Sequence, residues 1–258
     1  MSELNERMDG FIKEVRNNSG SKKSLYSSTF WDLLKIRKRT GRKVAYVSQY
    51  LMDNGITVST PNNNFGSEKK KEWITFQHWD IPYQIDAWFE KMKQGVYENE
   101  KEVNVFFLTS LFKALGYQEE DFTFEYKVDI AKRLLGMLPR GQRKKFVDLA
   151  LFDGPDRVEP KLLAICEAKT PKTANTKPSS RNLIDAEKCL KVYRVGCSTA
   201  KRFVATNGEM IKVFRRGKDN TEDDIELLME LDRSELKEKW HALYLYLGKP
   251  ILVKELEG

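Results

Sequence analysis

Three polar residues in the middle of the chain stand at spacings that would bring them together on one face of a β-hairpin. Asp148 lies in the apolar run KFVDLALFD, and Glu167 and Lys169 lie in the run KLLAICEAK. Both runs have the length of a strand, and the DGPD between them is typical of a turn. Because side chains alternate faces along a strand, Glu167 and Lys169 share a face, about 7 Å apart. A turn centred between Gly154 and Pro160 would place Asp148 opposite Glu167 on that face.

This arrangement indicates chemistry at a divalent cation. Two opposed carboxylates in a mostly apolar sheet cost stability, and a bound cation is the usual compensation. Mg²⁺ is commonly held by one or two carboxylates together with water and substrate phosphate, and Mn²⁺ could substitute for it. Lys169 would stand beside the attacking water and could orient it or offset charge on the phosphate. The predicted reaction is hydrolysis of a phosphodiester; a hairpin whose polar side chains simply face water is the alternative.

The elements around the hairpin predict an α/β fold with a mixed central β-sheet flanked by helices. A helix is predicted over KEVNVFFLTSLFKALGY, where apolar residues recur every three or four positions and Gly116 ends it. The strand FTFEYKV precedes the hairpin. After it come the helix RNLIDAEKCLKVYRVG, the strands KRFVATNG and EMIKVFRR, and the helix RSELKEKWHALYLYLG. These segments make up one predicted domain over residues 79–258.

The part of the chain before residue 79 predicts a smaller, separate unit. Residues 1–24 indicate a helix and a polar linker, NNSGSKKS. Residues 25–78 give the order helix, helix, strand, basic loop, strand, which is typical of a winged helix. Its wing would carry Lys69, Lys70 and Lys71, which suit phosphate contacts. An ordinary solvated loop in a packing module is the alternative.

Two further groups of residues are candidates for contact with nucleic acid. A basic stretch directly before the aspartate strand could guide a phosphate backbone, or could be a solvated loop; it contains Arg140, Arg143, Lys144 and Lys145. Three tryptophans surround the expected domain boundary: Trp73, Trp79 and Trp88. These tryptophans are predicted to lie in the core or at a domain interface rather than to stack on bases.

Composition narrows the class of partner. The chain has 258 residues, a formal net charge of +7 and 40% hydrophobic residues, so a core is expected and a polyanionic partner, nucleic acid first, is favoured. The three cysteines are scattered and the two histidines lie far apart, which argues against disulfides and for a cation held by carboxylates rather than zinc. No signal peptide and no run of roughly 18 apolar residues is found, so the protein is predicted to be cytoplasmic, without a membrane partner.

The segment from about residue 98 to 215 resembles the PD-(D/E)xK nuclease superfamily, in particular the N-terminal nuclease domain of type I restriction enzyme R subunits. The matching strings are ENEKEVNVFFLTSLFKALGY, FVDLALFD, LLAICEAK, AEKCLKVY and VATNGEMIKVF. The resemblance implies a restriction-endonuclease-like sheet and Mg²⁺-dependent cleavage of DNA. It implies metal ligands at Asp148, Glu167 and Ala168, and catalytic roles for both carboxylates and Lys169.

The resemblance also bears on two helices. In nuclease domains of this superfamily the first helix often carries a glutamate near its start. The resemblance therefore implies a catalytic role for Glu102, with Glu100 as the near alternative. In the restriction-subunit type a glutamine often stands four residues before a tyrosine in the helix after the hairpin. Tyr193 would be that tyrosine, and Cys189 occupies the place of the glutamine. This departure weakens the assignment to the restriction-subunit branch, but it does not weaken the assignment to the superfamily.

The leading hypothesis is a metal-dependent nuclease that acts on DNA, of the restriction or defence type. One alternative is a catalytically inactive nucleic-acid-binding or regulatory subunit with a nuclease-like core. Another keeps the chemistry and makes RNA the substrate, because a metal site contacts phosphate and not sugar. Whether the chain forms a homodimer or binds a partner subunit is left open.

Overall fold

The computed structural model describes residues 2–18, 21–60, 65–66, 72–80, 82, 84–130, 134, 136–138, 146–170, 180–217 and 225–257. The chain divides into two compact units, Met1–Ile81 and Pro82–Gly258, close to the boundary predicted at residue 79. Both units combine helices with a sheet, so the α/β class predicted from the sequence is confirmed.

In its described residues, the first unit has three helices and a three-stranded antiparallel sheet. Its elements are α1 (Ser2–Asn17), β1 (Lys22–Tyr26), α2 (Ser27–Leu33), α3 (Gly41–Asp53), β2 (Ile56–Ser59) and β3 (Trp73–His78). The strand order in the sheet is β1-β3-β2. The helices cover one face of this sheet, where β3 buries Ile74 and Phe76 completely.

Residues 1–24 were predicted to be a helix and a linker outside this unit; the helix is present as α1, but the linker and the separation from the unit are wrong. Helix α1 buries Met8 and Phe11 in the same core as Phe30 and Phe76, and the rings of Phe11 and Phe76 lie 4.7 Å apart. The second half of the supposed linker forms β1, which pairs with β3 along its whole length. The physical reason is that a helix of this length with an apolar stripe is marginal until the stripe is buried.

The second unit consists of a mixed sheet and the helices around it. Its elements are α4 (Asp86–Gln94), α5, β4 (Phe122–Lys127), β5 (Phe146–Phe152), β6 (Leu162–Ala168), α6 (Ser180–Gly196), β7 (Arg202–Thr206), β8 (Met210–Arg216), β9 (Ile225–Asp232), α7 (Trp240–Leu247) and α8 (Lys249–Glu257). Helix α5 runs without a break through the α-helical turn Glu100–Glu102, the π-helical Val103–Leu108 and the α-helical Thr109–Ala114.

The sheet of the second unit is open and has the strand order β4-β5-β6-β7-β8-β9. Strands β6 and β7 run parallel and all other neighbours are antiparallel, so the predicted mixed sheet is confirmed. The strand β9 was not predicted, because its sequence IELLMELD lacks a clear alternation of apolar and polar residues. Its side chains are mostly half-buried or exposed, as befits the edge of a sheet.

The central strand β6 has every side chain buried, on both faces. Helix α6 covers one of these faces through a core that includes Cys189 and Tyr193. A strand covered on both faces can carry a charged side chain only at its ends, and the charged pair of β6 is at its carboxyl end. No helix among the described residues is long and apolar enough to cross a bilayer.

Candidate active site

The hairpin formed by β5 and β6 has the register predicted from the sequence. Three successive pairs define it: Leu149 with Cys166, Ala150 with Ile165, and Leu151 with Ala164. The next position along the strands therefore places Asp148 opposite Glu167. The main-chain N–H of Ala168 donates a hydrogen bond of 2.7 Å to Oδ2 of Asp148, which fixes the aspartate to the neighbouring strand.

Glu167 and Lys169 form a buried ion pair at the end of β6. The side chains belong to residues that are only 4% and 5% exposed, and the Lys169 ammonium donates to Oε1 of Glu167 over 2.6 Å. The main-chain N–H of Lys169 donates to the carbonyl of Thr206 over 2.8 Å, so the lysine is held against the end of β7. The structure thus brings together Asp148, Glu167 and Lys169, as the spacing predicted.

The charges at this site are out of balance. Burial, and then the neighbouring charge of Asp148, raise the pKa of Glu167 to about 8, although the Lys169 ammonium acts in the opposite direction. Burial by itself would lower the pKa of Lys169, but the carboxylates of Glu167, Asp148 and Glu100 together raise it above its ordinary value. One ammonium thus faces three carboxylates, and a second positive charge would stabilise the group.

One carboxylate oxygen lacks a strong donor. Oε2 of Glu167 is buried and accepts no N–H or O–H hydrogen bond within the described part of the chain, while the thiol of Cys189, a weak donor, interacts with the same carboxylate. A buried acceptor without a partner is costly, and beside a second carboxylate it is an oxygen ligand of the kind that Mg²⁺ takes. The donor set would be Asp148, Glu167 and, through its main chain, Ala168. In the part of the chain that the structure describes, no three or more His, Cys, Asp or Glu side chains are grouped to hold a metal. A set with two carboxylates leaves room for the waters that Mg²⁺ usually keeps.

Glu102 was predicted to be catalytic, and the structure uses its carboxylate elsewhere. It accepts hydrogen bonds from the main-chain N–H of Glu98, at 2.7 Å, and from the side-chain amide of Asn99, at 3.1 Å. Asn99 in turn accepts from the N–H of Glu102 at 3.0 Å, which completes a reciprocal cap at the start of α5. The glutamate whose charge reaches Glu167 and Lys169 is Glu100, the alternative named from the sequence.

The π-helical part of α5 follows Glu100 after two residues. Its side chains Val103, Phe107 and Leu108 are fully buried. The hydroxyl of Thr109 donates to the carbonyl of Asn104 over 3.1 Å, which satisfies one acceptor in the widened turns. Single π-helical turns inside α-helices frequently stand at functional sites, where the extra residue re-aims the side chains on one side of it.

Helix α6 closes the site with a cysteine and a tyrosine. Cys189 and Tyr193 are almost completely buried. Burial, followed by the charge of Glu167, raises the pKa of both side chains, which places them close to the carboxylate pair. The thiol therefore occupies the position next to the site at which the resemblance implies a glutamine. At neutral pH it is a small, uncharged group there.

Several predicted contact residues cannot be compared with the structure. Lys69, Lys70 and Lys71 of the wing lie outside the described residues, and so does the basic stretch that contains Arg140, Arg143, Lys144 and Lys145. Of the three tryptophans, Trp88 packs on Trp240 with the ring centroids 5.4 Å apart, and Trp79 is half-buried. Trp73, which was predicted to lie in the core or at a domain interface, is 49% exposed and so does not lie in the core of its unit.

The raised pKa of Glu167 predicts how pH changes the stability of the metal-free protein. The folded state holds the proton more tightly than the unfolded chain does, so stability falls as pH rises from the ordinary value of 4.5 to about 8. Glu167→Gln removes this loss. In EDTA we expect the variant to melt at nearly the wild-type temperature at pH 5 and about 4–8 °C higher at pH 8. Melting curves at both pH values, with the exposed Glu120→Gln as control, test this; a difference that does not change with pH would contradict it.

Comparison of the sequence with protein-family models and with curated proteins, and of the structure with solved structures, finds no match in any of the three.

Proposed function

We propose that the chain is a metal-dependent nuclease that hydrolyses phosphodiester bonds in DNA. The observation that carries the proposal is the carboxylate pair at the end of β6, where Oε2 of Glu167 is buried without an N–H or O–H donor, beside Asp148 and Lys169. A purely structural hairpin gains nothing from such a group, because a buried carboxylate without a full set of partners costs stability. The open mixed sheet, with this pair at its centre, supports a restriction-endonuclease-like architecture as part of the proposal.

Asp148, Glu167 and the main chain of Ala168 would hold the cation, which is Mg²⁺ or Mn²⁺. The bound ion would polarise a phosphate oxygen and lower the pKa of a water molecule. In the hydrolysis a water oxygen forms a bond to phosphorus while one P–O ester bond breaks; the water gives up a proton to solvent, and the leaving oxygen takes one from solvent. Lys169 supplies a fixed positive charge beside the reacting phosphate, and its N–H groups orient the attacking water. Glu100 adds a third carboxylate that keeps the Lys169 ammonium protonated.

The first unit has the element order of a winged helix, α1-β1-α2-α3-β2-β3, with the sheet order β1-β3-β2. This order supports a role in holding nucleic acid, and duplex DNA is the usual partner of such units. A basic chain with a net charge of +7 is suited to a polyanion. We therefore place DNA before RNA as the substrate.

The proposal is tested with the pure full-length chain. Supercoiled plasmid, single-stranded DNA and single-stranded RNA are each incubated with Mg²⁺, with Mn²⁺ or with EDTA, and the products are separated on gels. We expect DNA to be cleaved with either metal and to stay intact in EDTA. Binding of DNA without cleavage under every metal condition would instead favour a catalytically inactive binding subunit. Cleavage of RNA alone would show that the protein is a metal-dependent ribonuclease rather than a deoxyribonuclease.

A further inference from the structure

Two aromatic rings stack on each other on the open face of the three-stranded sheet. Tyr26 at the end of β1 pairs with Trp73 at the start of β3. Their ring centroids lie 4.1 Å apart with the planes tilted by 31°, and the residues are 41% and 49% exposed. Half of a large aromatic surface is thus left in water on a face that the helices do not cover.

The rest of this face is polar. The side chains of Lys22 and Ser24 alternate with buried or half-buried neighbours along β1 and are exposed like Tyr26. The hydroxyls of Ser24 and Thr75 are hydrogen-bonded across the two strands at 2.8 Å. The opposite face holds the apolar core, whereas on the open face the exposed rings of the aromatic pair stand next to polar side chains.

A strongly basic segment is attached to the same end of the sheet. The segment 35–43, which contains the connection from α2 to α3 and the first turn of α3, has six cationic residues and no acidic one: Lys35, Arg37, Lys38, Arg39, Arg42 and Lys43. The guanidinium of Arg39 donates to the hydroxyl of Ser27 over 3.0 Å. Ser27 directly follows Tyr26, and its N–H donates over 2.7 Å to the carbonyl of Glu72, the residue before Trp73. These bonds place Arg39, which also packs on the ring of Trp31, beside the ends of β1 and β3 that carry the aromatic pair.

We propose that this surface binds a single-stranded stretch of nucleic acid. The phosphates lie along segment 35–43 and an unpaired base stacks on the exposed rings of Tyr26 and Trp73. Cations that follow a backbone, together with aromatic rings that accept any base, are the combination by which proteins hold single strands. In a duplex the bases are already stacked on their neighbours, so the rings favour a strand that is open. The inference rests on the proposed function for the choice of DNA, while binding itself needs no cleavage.

The test measures binding in EDTA by fluorescence anisotropy, with the full-length chain, a labelled 20-nucleotide single strand and a duplex of the same length. We expect Trp73→Ala to raise the Kd for the single strand by about 5- to 150-fold and to leave the Kd for the duplex unchanged. Trp73→Phe, which keeps a ring, should bind the single strand within about twofold of wild type. The Arg37→Ala/Lys38→Ala double variant should lower the slope of log Kd against log salt concentration by about 1.4.

Two controls keep the test independent of folding. Lys13→Ala removes an exposed cation from α1 and should not change the salt slope. The wild-type chain should bind an abasic single strand as weakly as Trp73→Ala binds the normal strand. The proposal is overturned if the abasic strand binds as tightly as the normal strand, or if folded Trp73→Ala loses single strand and duplex equally. Tight binding without cleavage in Mg²⁺ would overturn the nuclease proposal and leave this one standing.

Discussion

Asp148→Asn is expected to reduce metal-dependent cleavage by about 10³-fold or more, because it removes one of the two carboxylates that would hold the cation. In wild type the N–H of Ala168 donates to Oδ2 of Asp148 over 2.7 Å. The side-chain oxygen of an asparagine can accept the same hydrogen bond, so we expect the hairpin to be kept. In wild type a cation at ten times its dissociation constant should raise the melting temperature by about 3–6 °C. In the variant this increase should disappear.

The matched control for this substitution is Asp156→Asn. Asp156 lies in the exposed turn of the same hairpin and forms an ion pair with Lys161 in solvent. The control makes the same chemical change at a place where surface pairs contribute little, so both cleavage and metal-induced stabilisation should be retained. If Asp148→Asn cleaves at the rate of the control, the two carboxylates do not form the catalytic site.

Lys169→Met is expected to lower the rate of cleavage by about 10²–10³-fold while leaving cation binding in place. Methionine fills the buried space of the lysine but supplies neither a charge nor a donor. Since Glu167 then loses the ammonium that lies 2.6 Å from its Oε1, the metal-free variant should be less stable than wild type. Added Mg²⁺ should restore much of that stability, because the cation takes over the neutralising role. Gel assays of cleavage and melting curves with and without Mg²⁺ measure both effects.

Lys161→Met serves as the control for the lysine variant. Lys161 lies in the same hairpin, and its side chain is 41% exposed. Its loss should change neither cleavage nor metal-induced stabilisation by more than a small margin. A Lys169→Met protein that cleaves DNA at the wild-type rate would remove the lysine from the mechanism, whatever its stability.

The hairpin could be predicted from the sequence because the lengths of the apolar runs, the turn residues between them and the positions of the polar residues all indicate the same structure. Two apolar runs of strand length flank one turn, so the register follows from where the turn centres, and Asp148 can only face Glu167 or the opposite side. The same holds for the mixed sheet, since the strand β6 is apolar throughout apart from its end. The state of Oε2 of Glu167 could not be predicted from the sequence. It depends on the burial of the carboxylate and on the ion pair with Lys169, which engages only Oε1.

For two other residues the sequence pattern allowed more than one role. Glu102 was chosen over Glu100, although Asn99 followed three residues later by Glu102 is itself the sequence pattern of a reciprocal helix cap. That pattern identifies the capping glutamate and leaves Glu100 for the site. Trp73 was assigned to the core or to a domain interface from its place near the expected domain boundary. It starts a strand whose alternate residues, Ile74 and Phe76, are the buried ones.

The π-helical stretch Val103–Leu108 makes the position of Glu100 sensitive to the length of the chain. A π-helical turn holds one residue more than an α-helical turn, so the two ends of α5 are offset by one residue step, about 100° of rotation. Loss of a single residue there would regularise the helix and swing Glu100 around its axis, although no residue at the site had changed. The π-helical turn therefore sets the orientation of the third carboxylate, and a one-residue deletion there would weaken the effect of Glu100 on the Lys169 ammonium.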